Sequence, residues 1–291
     1  MNIRDLQYLI ALIDHRHFGK AAEACFVSQP ALSMQIKKLE QYLGVQLLER
    51  TNKSVMMTPI GAELGEHARQ VIRQIETIRD IARSAADPFG GELKLGIFPT
   101  LAPYLLPQIM PRLSEKFPRL SLLLREEQTA LLIDKLRNGQ IDAALLALPV
   151  EENHFTTVSL FSEEFLLAVP EGHDFARRKS IDQKELAGEQ LLLLEDGHCL
   201  REQALSFCYR LRAKENQNFR ATSLETLRHM VAAGVGMTLM PKYACKNNDG
   251  IAYIKFKSPP PAREIGMIWR NSAARQQALS DIAAQIKFIM R

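Results

Sequence analysis

Through the first ninety positions apolar residues recur at three- and four-residue steps, and beyond Gly91 such stretches alternate with short apolar runs. The first pattern predicts helices, and the second predicts strands alternating with helices. Three short amphipathic helices are predicted at 3–14, 18–25 and 30–43, with only Phe26, Val27, Ser28 and Gln29 between the last two. That is helix-turn-helix spacing. Ala21, Ala22 and Ala24 let another helix pack close, while Ser28 offers a cap and Pro30 a first-turn residue whose missing N–H costs nothing. Leu47 to Arg50 and Val55 to Thr58 read as two short strands around the turn 51–54, a small basic wing.

From Thr58 to Asp87 the residues Gly61, Leu64, Ala68, Val71, Ile75 and Ile78 lie on alternating three- and four-residue steps, continued by Ala82 and Ala85. A helix of this length is about 45 Å long. Its stripe is too narrow for a globular core and suits a second copy of the chain, so a homodimer is predicted. Asp87-Pro88-Phe89-Gly90-Gly91 then breaks the helix. Beyond it, strands at 92–98, 120–126 and 141–148 alternate with helices at 102–117 and 130–138. A second block has strands at 165–169, 190–194 and 237–240 and helices at 200–211 and 224–233. This is an α/β pattern in two linked lobes. Thr100, Thr129, Cys199 and Thr222-Ser223 fall at strand-to-helix turns, the places that border a cleft in such sheets.

Composition narrows the chemistry. With 291 residues, 46% hydrophobic and 24% charged, the chain can bury two cores, and no apolar run reaches membrane-spanning length. A soluble cytoplasmic protein without membrane contact is expected. The net charge of +4 is mild, so a nucleic-acid partner must be argued from local placement of charge. The third helix supplies it: Leu32, Ile36 and Leu39 turn inward, while Gln29, Ser33, Gln35, Lys37 and Lys38 gather on the polar face. These are donors suited to base edges and phosphates, and Pro30, Arg50 and Lys53 complete the candidate DNA-contacting set. Seven histidines show no zinc spacing, and Gly234-Val235-Gly236 lacks the third glycine of a dinucleotide fingerprint. No metal and no cofactor are predicted.

Four cysteines do not make a disulfide scaffold, so a functional pair in a reducing compartment would be transient. Cys199 and Cys208 are the candidates. On a helix their nine-residue separation amounts to ~13.5 Å of rise, whereas a disulfide needs the Cα atoms within about 7 Å. Joining them would unwind the helix. Cys199 stands at a predicted helix N-terminus between His198 and Arg201, which favours its thiolate and attack on an O–O bond, and Cys208 is the candidate resolving thiol. Cys25 and Cys245 read as incidental.

The string from Ala21-Ala22 through Ser28-Gln29-Pro30-Ala31-Leu32-Ser33 to Leu39-Glu40 and Leu43-Gly44 closely resembles the winged helix-turn-helix of LysR-type transcriptional regulators. The segments 194–201, 219–227 and 103–107 resemble the peroxide-sensing branch of that family. The resemblance spans the whole chain. It implies a winged helix-turn-helix over 1–58, a dimerisation linker helix over 59–89 and a two-lobed, periplasmic-binding-protein-like regulatory domain over 90–291. Lobe I would take about 90–161 and 266–291, and lobe II about 162–265.

Through the same resemblance Cys199 is similar to the peroxidatic cysteine and Cys208 to the resolving one, with Thr100, Thr129, His198, Gly197 and Glu202 around the peroxide. It further implies a homotetramer, a near-palindromic double-stranded DNA operator, contact with RNA polymerase, and reduction by a glutaredoxin or thioredoxin system. Glu202 stands where the branch has aspartate, Met34 where it has glycine, and the chain ends, at Arg291, earlier than is usual there. Two other readings remain open: a regulator whose inter-lobe cleft binds a small organic effector, and a thiol peroxidase.

Overall fold

The computed structural model describes residues 1–50, 55–150, 152–197, 199–211 and 214–291. The chain separates into two compact units, Met1–Ala86 and Asp87–Arg291.

In the first unit α1 (Ile3–His15) opens on a reciprocal cap between Asn2 and Asp5. α2 (Phe18–Ala24) is capped by His17 Nδ1, which accepts from the amides of Gly19 and Lys20. α3 (Gln29–Leu43) opens on Ser28 and Pro30 and stops at Gly44, whose φ of 71° is the left-handed conformation that ends a helix at least cost in glycine. Leu9, Leu12, Leu32, Ile36 and Leu39 form the core between these helices. β1 (Leu48–Arg50) and β2 (Val55–Met57) pair antiparallel as the wing. Glu40 ties the wing to α3 by accepting from the amides of Leu47 at 2.9 Å and Leu48 at 3.3 Å.

α4 (Pro59–Ala86) is a 28-residue helix, with Thr58 Oγ1 accepting from Gly61 N in its first turn. The predicted stripe divides along its length. Ala68 is buried in the core of its own unit, with Leu64 and Ile72 packed against it, and a Cβ on Gly65 would meet Ile13 at 2.2 Å. Farther along, Val71 and Ile78 are 46% and 65% exposed. The near half of the stripe therefore covers the helix-turn-helix core, because α1 lies against it, and the apolar surface left open lies farther along the helix.

The second unit contains β3 (Gly91–Ile97), α5 (Ala102–Lys116), β4 (Leu120–Glu126), α6 (Thr129–Arg137), β5 (Ala143–Leu148), β6 (Phe155–Pro170) and β7 (Ser180–Ile181). There follow β8 (Gln190–Leu194), α7 (Cys199–Leu211), β9 (Lys214–Ala221), α8 (Leu224–Ala232), β10 (Thr238–Pro241), β11 (Ile251–Phe256), β12 (Ala262–Arg270) and α9 (Gln276–Ile289). Among the described residues the main sheet runs β4-β3-β5-β12-β6-β11-β7, with β10 also on β6 and β8 paired parallel to β9. β3 is parallel to β4 and β5.

β6 is the shared strand. Residues 155–164 pair with β12, while 165–170 pair with β10 and β11. One core gathers on β3, β5, β12, α5 and α9, and a second on β8, α7, α8, β10 and β11. The apolar pattern marks only 165–169 of β6, because 156–164 is rich in threonine, serine and glutamate and contributes only Val158, Leu160 and Phe161 to the first core.

Candidate functional site

Cys199 is the first residue of α7 and sits where the two cores meet: its side chain packs on the first core while Leu200 is buried in the second. The approach from β8 turns at Gly197, with φ of 92°, and a Cβ there would stand 2.6 Å from Gln128 Oε1. Gln128 precedes Thr129 at the start of α6, so the turn brings Cys199 and Thr129 to one place. A pocket of about 310 Å³ opens beside the sulfur, with Thr129, Glu202 and Gln203 in its wall.

Burial pushes the Cys199 thiol above its ordinary pKa. Arg263 opposes this most strongly, followed by the Thr129 hydroxyl and the Leu200 amide, while the Glu202 carboxylate adds to the rise. The net rise corrects the expectation of a favoured thiolate; of its expected sources, the helix terminus does lower the pKa, through the Leu200 amide. Arg201 is committed elsewhere: its guanidinium donates to both carboxylate oxygens of Glu215 at 2.7 and 3.1 Å, to Asp196 at 2.8 Å and to the Leu194 carbonyl at 3.1 Å. It clamps the end of β8 to α7 and β9, and its charge is spent in that clamp.

Arg263, on β12, is fully buried. It donates to Glu163 on β6 at 2.8 Å, to Thr100 Oγ1 at 3.0 Å and to the Thr100 carbonyl at 3.1 Å. The rings of Phe98 and Phe165 lie 5.1 and 5.8 Å from its guanidinium carbon. A buried cation requires such pairing. Thr100 is thus brought into the site through Arg263 and does not line the pocket at the sulfur.

Cys208 lies on α7, so Cys199 and Cys208 share one continuous helix and are separated by ~13.5 Å along its axis. His198 and Lys53 lie outside the described residues, as do the side chains of Cys208 and Arg50. In the first unit Gln29, Pro30, Lys37 and Lys38 are exposed on α3, and Ser33 and Gln35 are half-buried beside them. Met34 is 54% exposed on the same helix. Cys25 and Cys245 are both free thiols, and burial raises both pKa values, that of Cys245 to about 12.

Residues 3–62 match the bacterial regulatory helix-turn-helix proteins of the lysR family, and residues 86–287 match the LysR substrate binding domain. The chain belongs to the LysR family. Within the family it is 47% identical over 290 residues to the DNA-binding transcriptional dual regulator OxyR of Escherichia coli K12, covering 99% of this chain and 95% of that protein. It superimposes on a full-length OxyR mutant from Pseudomonas aeruginosa with TM-score 0.76 and 37% identity, over 99% of this chain and 98% of that one. A hydrogen-peroxide-bound OxyR mutant from Corynebacterium glutamicum matches with TM-score 0.68 and 34% identity, over 99% and 92% of the two chains. Among the described residues of this LysR-family chain no helix is long and apolar enough to cross a membrane, and no group of His, Cys, Asp and Glu is placed to hold a metal.

Sequence reasoning missed three residues that build this LysR-family site, Arg263, Glu163 and Gln128, and, away from the sulfur, the contact made by Tyr104. The Tyr104 hydroxyl, on α5, donates to Glu225 on α8 at 2.7 Å, and burial with this bond raises its pKa to about 12. Arg263 gave one usable signal, a charged residue leading the apolar strand Ile265 to Trp269. Its partner Glu163 is a hundred residues distant in sequence, and spacing carries no trace of that pairing.

Proposed function

We propose that this chain is a cytoplasmic, hydrogen-peroxide-sensing DNA-binding transcription regulator, and not an enzyme, switched by a reversible Cys199–Cys208 disulfide. Residues 1–58 read DNA, 59–89 pair two copies, and 90–291 sense the oxidant in two lobes, 90–161 with 266–291 and 162–265. The observation that carries the reading is that Cys199 stands at the head of α7, at the meeting of two cores, with Cys208 farther along the same helix. The peroxide-bound OxyR relative supports hydrogen peroxide as the oxidant.

In the reaction the Cys199 thiolate attacks one peroxide oxygen. The S–O bond forms, the O–O bond breaks, and hydroxide leaves as water with the proton released on forming the thiolate. Cys199 is then a sulfenic acid. Attack by the Cys208 sulfur forms the S–S bond and releases a second water. Thr129 Oγ1 is aimed to polarise the departing oxygen, Arg263 holds negative charge at the sulfur, and His198, Gly197, Glu202 and Thr100 shape the site around it.

A disulfide needs Cα atoms within about 7 Å, so α7 has to unwind when the bond forms. That rearrangement changes the lobe surfaces and re-spaces the recognition helices of a homotetramer on a near-palindromic operator. Exposed Val71 and Ile78 on α4 supply the contact with a second copy. Gln29, Pro30, Ser33, Gln35, Lys37 and Lys38, with Arg50 and Lys53 of the wing, face DNA. RNA polymerase is the downstream partner, and a glutaredoxin or thioredoxin system restores the thiols.

Peptide mapping after one equivalent of hydrogen peroxide tests the reading: the Cys199–Cys208 disulfide is the expected product. Cys199 recovered as a free thiol overturns it. Consumption of many peroxide equivalents per chain in the presence of a thiol reductant would assign a thiol peroxidase instead.

A further inference from the structure

Two large apolar side chains stand exposed on α3, Met34 and Tyr42, and their places on the helix differ. Pro30, Met34, Lys37, Lys38 and Gln41 are exposed at three- and four-residue steps along one side, while Leu32, Ile36 and Leu39 are buried on the other. Met34 is the sixth residue of α3, and Tyr42 lies in its last turn. In a helix that enters the major groove it is the N-terminal residues that meet base edges. Met34 therefore stands among them, and Tyr42 does not.

A solitary exposed methionine needs no explanation on a bare surface. On a face that closes on DNA it does, because binding takes it out of water. The base edges of the major groove are mostly hydrogen-bond donors and acceptors, and a thioether, at best a weak acceptor, leaves those that it covers unpaired. One group there is apolar, the C5 methyl of thymine. The unbranched methionine side chain, with three rotatable bonds, can reach and fit so small a target. Its neighbours supply what it lacks. Ser33 and Gln35 flank it with a hydroxyl and an amide, and Lys37 and Lys38, one turn farther on, carry exposed charge for phosphates. Pro30, one turn before, adds apolar surface beside it.

We propose that Met34 is a specificity-determining residue whose side chain packs on the C5 methyl of one thymine in each half-site, so that the chain selects T·A over C·G at that position. The proposal rests on α3 being the DNA-reading helix. It adds to the hydrogen-bonding residues of that face one that reads by apolar contact. A C·G pair offers no methyl there and presents the cytosine N4 donor instead, which the thioether leaves unpaired.

Uracil isolates this contact, because it pairs as thymine does and lacks only the methyl. Duplexes that bind the full reduced chain are selected from a random-sequence library, and the tightest is rebuilt with deoxyuridine for each thymine in turn. Affinities are read by fluorescence anisotropy at one salt concentration. One thymine in each half-site is expected to lose about fourfold in affinity on conversion, the equivalent of ~0.8 kcal/mol for a group of methyl size at 1.4 kcal/mol per tenfold. Met34→Ala, at an exposed position where alanine is a strong helix former, is expected to bind the thymine and uracil duplexes alike. Met34→Leu, which conserves the apolar volume, is expected to keep most of the difference. A wild-type chain indifferent to every thymine-to-uracil change, or methyl effects that all persist in Met34→Ala, overturns the proposal while leaving DNA reading by α3 standing. A chain that retains no duplex from the library brings down the DNA-reading assignment and the proposal with it.

Discussion

The Tyr104 hydroxyl donates to a Glu225 carboxylate oxygen across 2.7 Å and so ties α5 of the first core to α8 of the second, away from the shared strand β6. Glu225 also receives Lys246 at 3.1 Å and lies 3.3 Å from Arg228, so it keeps cationic partners when the phenol is removed. Tyr104→Phe is therefore expected to cost about 1 kcal/mol, the ordinary worth of one hydrogen bond. For a unit of this size that lowers the melting temperature by roughly 2–4 °C. Calorimetry of the reduced protein checks it, and an unchanged melting temperature would mean that the bond carries no load between the lobes.

The pH dependence of the reduced site follows from the raised Cys199 thiol. Burial is the leading cause, and Arg263, Thr129 and the Leu200 amide offset it only in part. A thiol whose pKa lies above the ordinary value of about 8.5 is protonated at neutral pH. Its thiolate fraction, and with it the rate of oxidation by peroxide, rises nearly tenfold for each unit of pH. Stability moves the other way. The folded chain holds the proton after the unfolded chain has lost it, so the reduced fold weakens as pH climbs through the unfolded thiol pKa. Stopped-flow oxidation between pH 6 and about pH 8.5 should show a rise with no plateau, and a plateau near neutrality would show a thiolate already formed.

At Gly197 two separate costs meet. The φ of 92° is strained for any residue with a Cβ, and the added Cβ would stand 2.6 Å from the Gln128 side chain. Gly197→Ala is expected to destabilise the reduced form by about 1–2 kcal/mol from the backbone alone, with Gln128 displaced in addition. Combining it with Gln128→Ala removes the collision and leaves the backbone cost, so the double variant should recover only part of the lost stability. Chemical denaturation of the two variants separates these contributions, and complete recovery would assign the whole effect to crowding.

How much of this was legible in the chain depended on the range of the interaction. Ser28, Pro30 and Gly44 punctuate α3 through local rules, and the edges of β8 at 190 and 194 follow from an apolar run bounded by polar residues. The helix that carries Cys199 and Cys208 was legible, and with it their separation, whereas their pairing is what the family resemblance implies. The offset to the thiol pKa was not legible. It comes from Arg263, which is far from Cys199 in sequence, while nearby Arg201 is spent on Glu215 and Asp196. β9, with the sequence Lys214 to Ala221, gives no strand signal because most of its residues are polar and its pairing with β8 is supplied by tertiary structure.

On α3, Lys37 and Lys38 are exposed while Leu32, Ile36 and Leu39 anchor the helix from beneath. Neutralising either lysine leaves that buried face untouched, so the fold should survive and the change should be read on DNA alone. A lysine that meets a phosphate releases a counterion on binding, and the slope of log affinity against log salt falls by about 0.9 for each phosphate that is no longer neutralised. Lys37→Gln and Lys38→Gln are each expected to weaken binding similarly on all sequences and to flatten the salt dependence, whereas Gln35→Ala should relax discrimination between operators. Fluorescence anisotropy over a salt series on two operator sequences measures both quantities. Affinity and slope unchanged in both lysine variants would move the DNA-reading surface away from this face of α3.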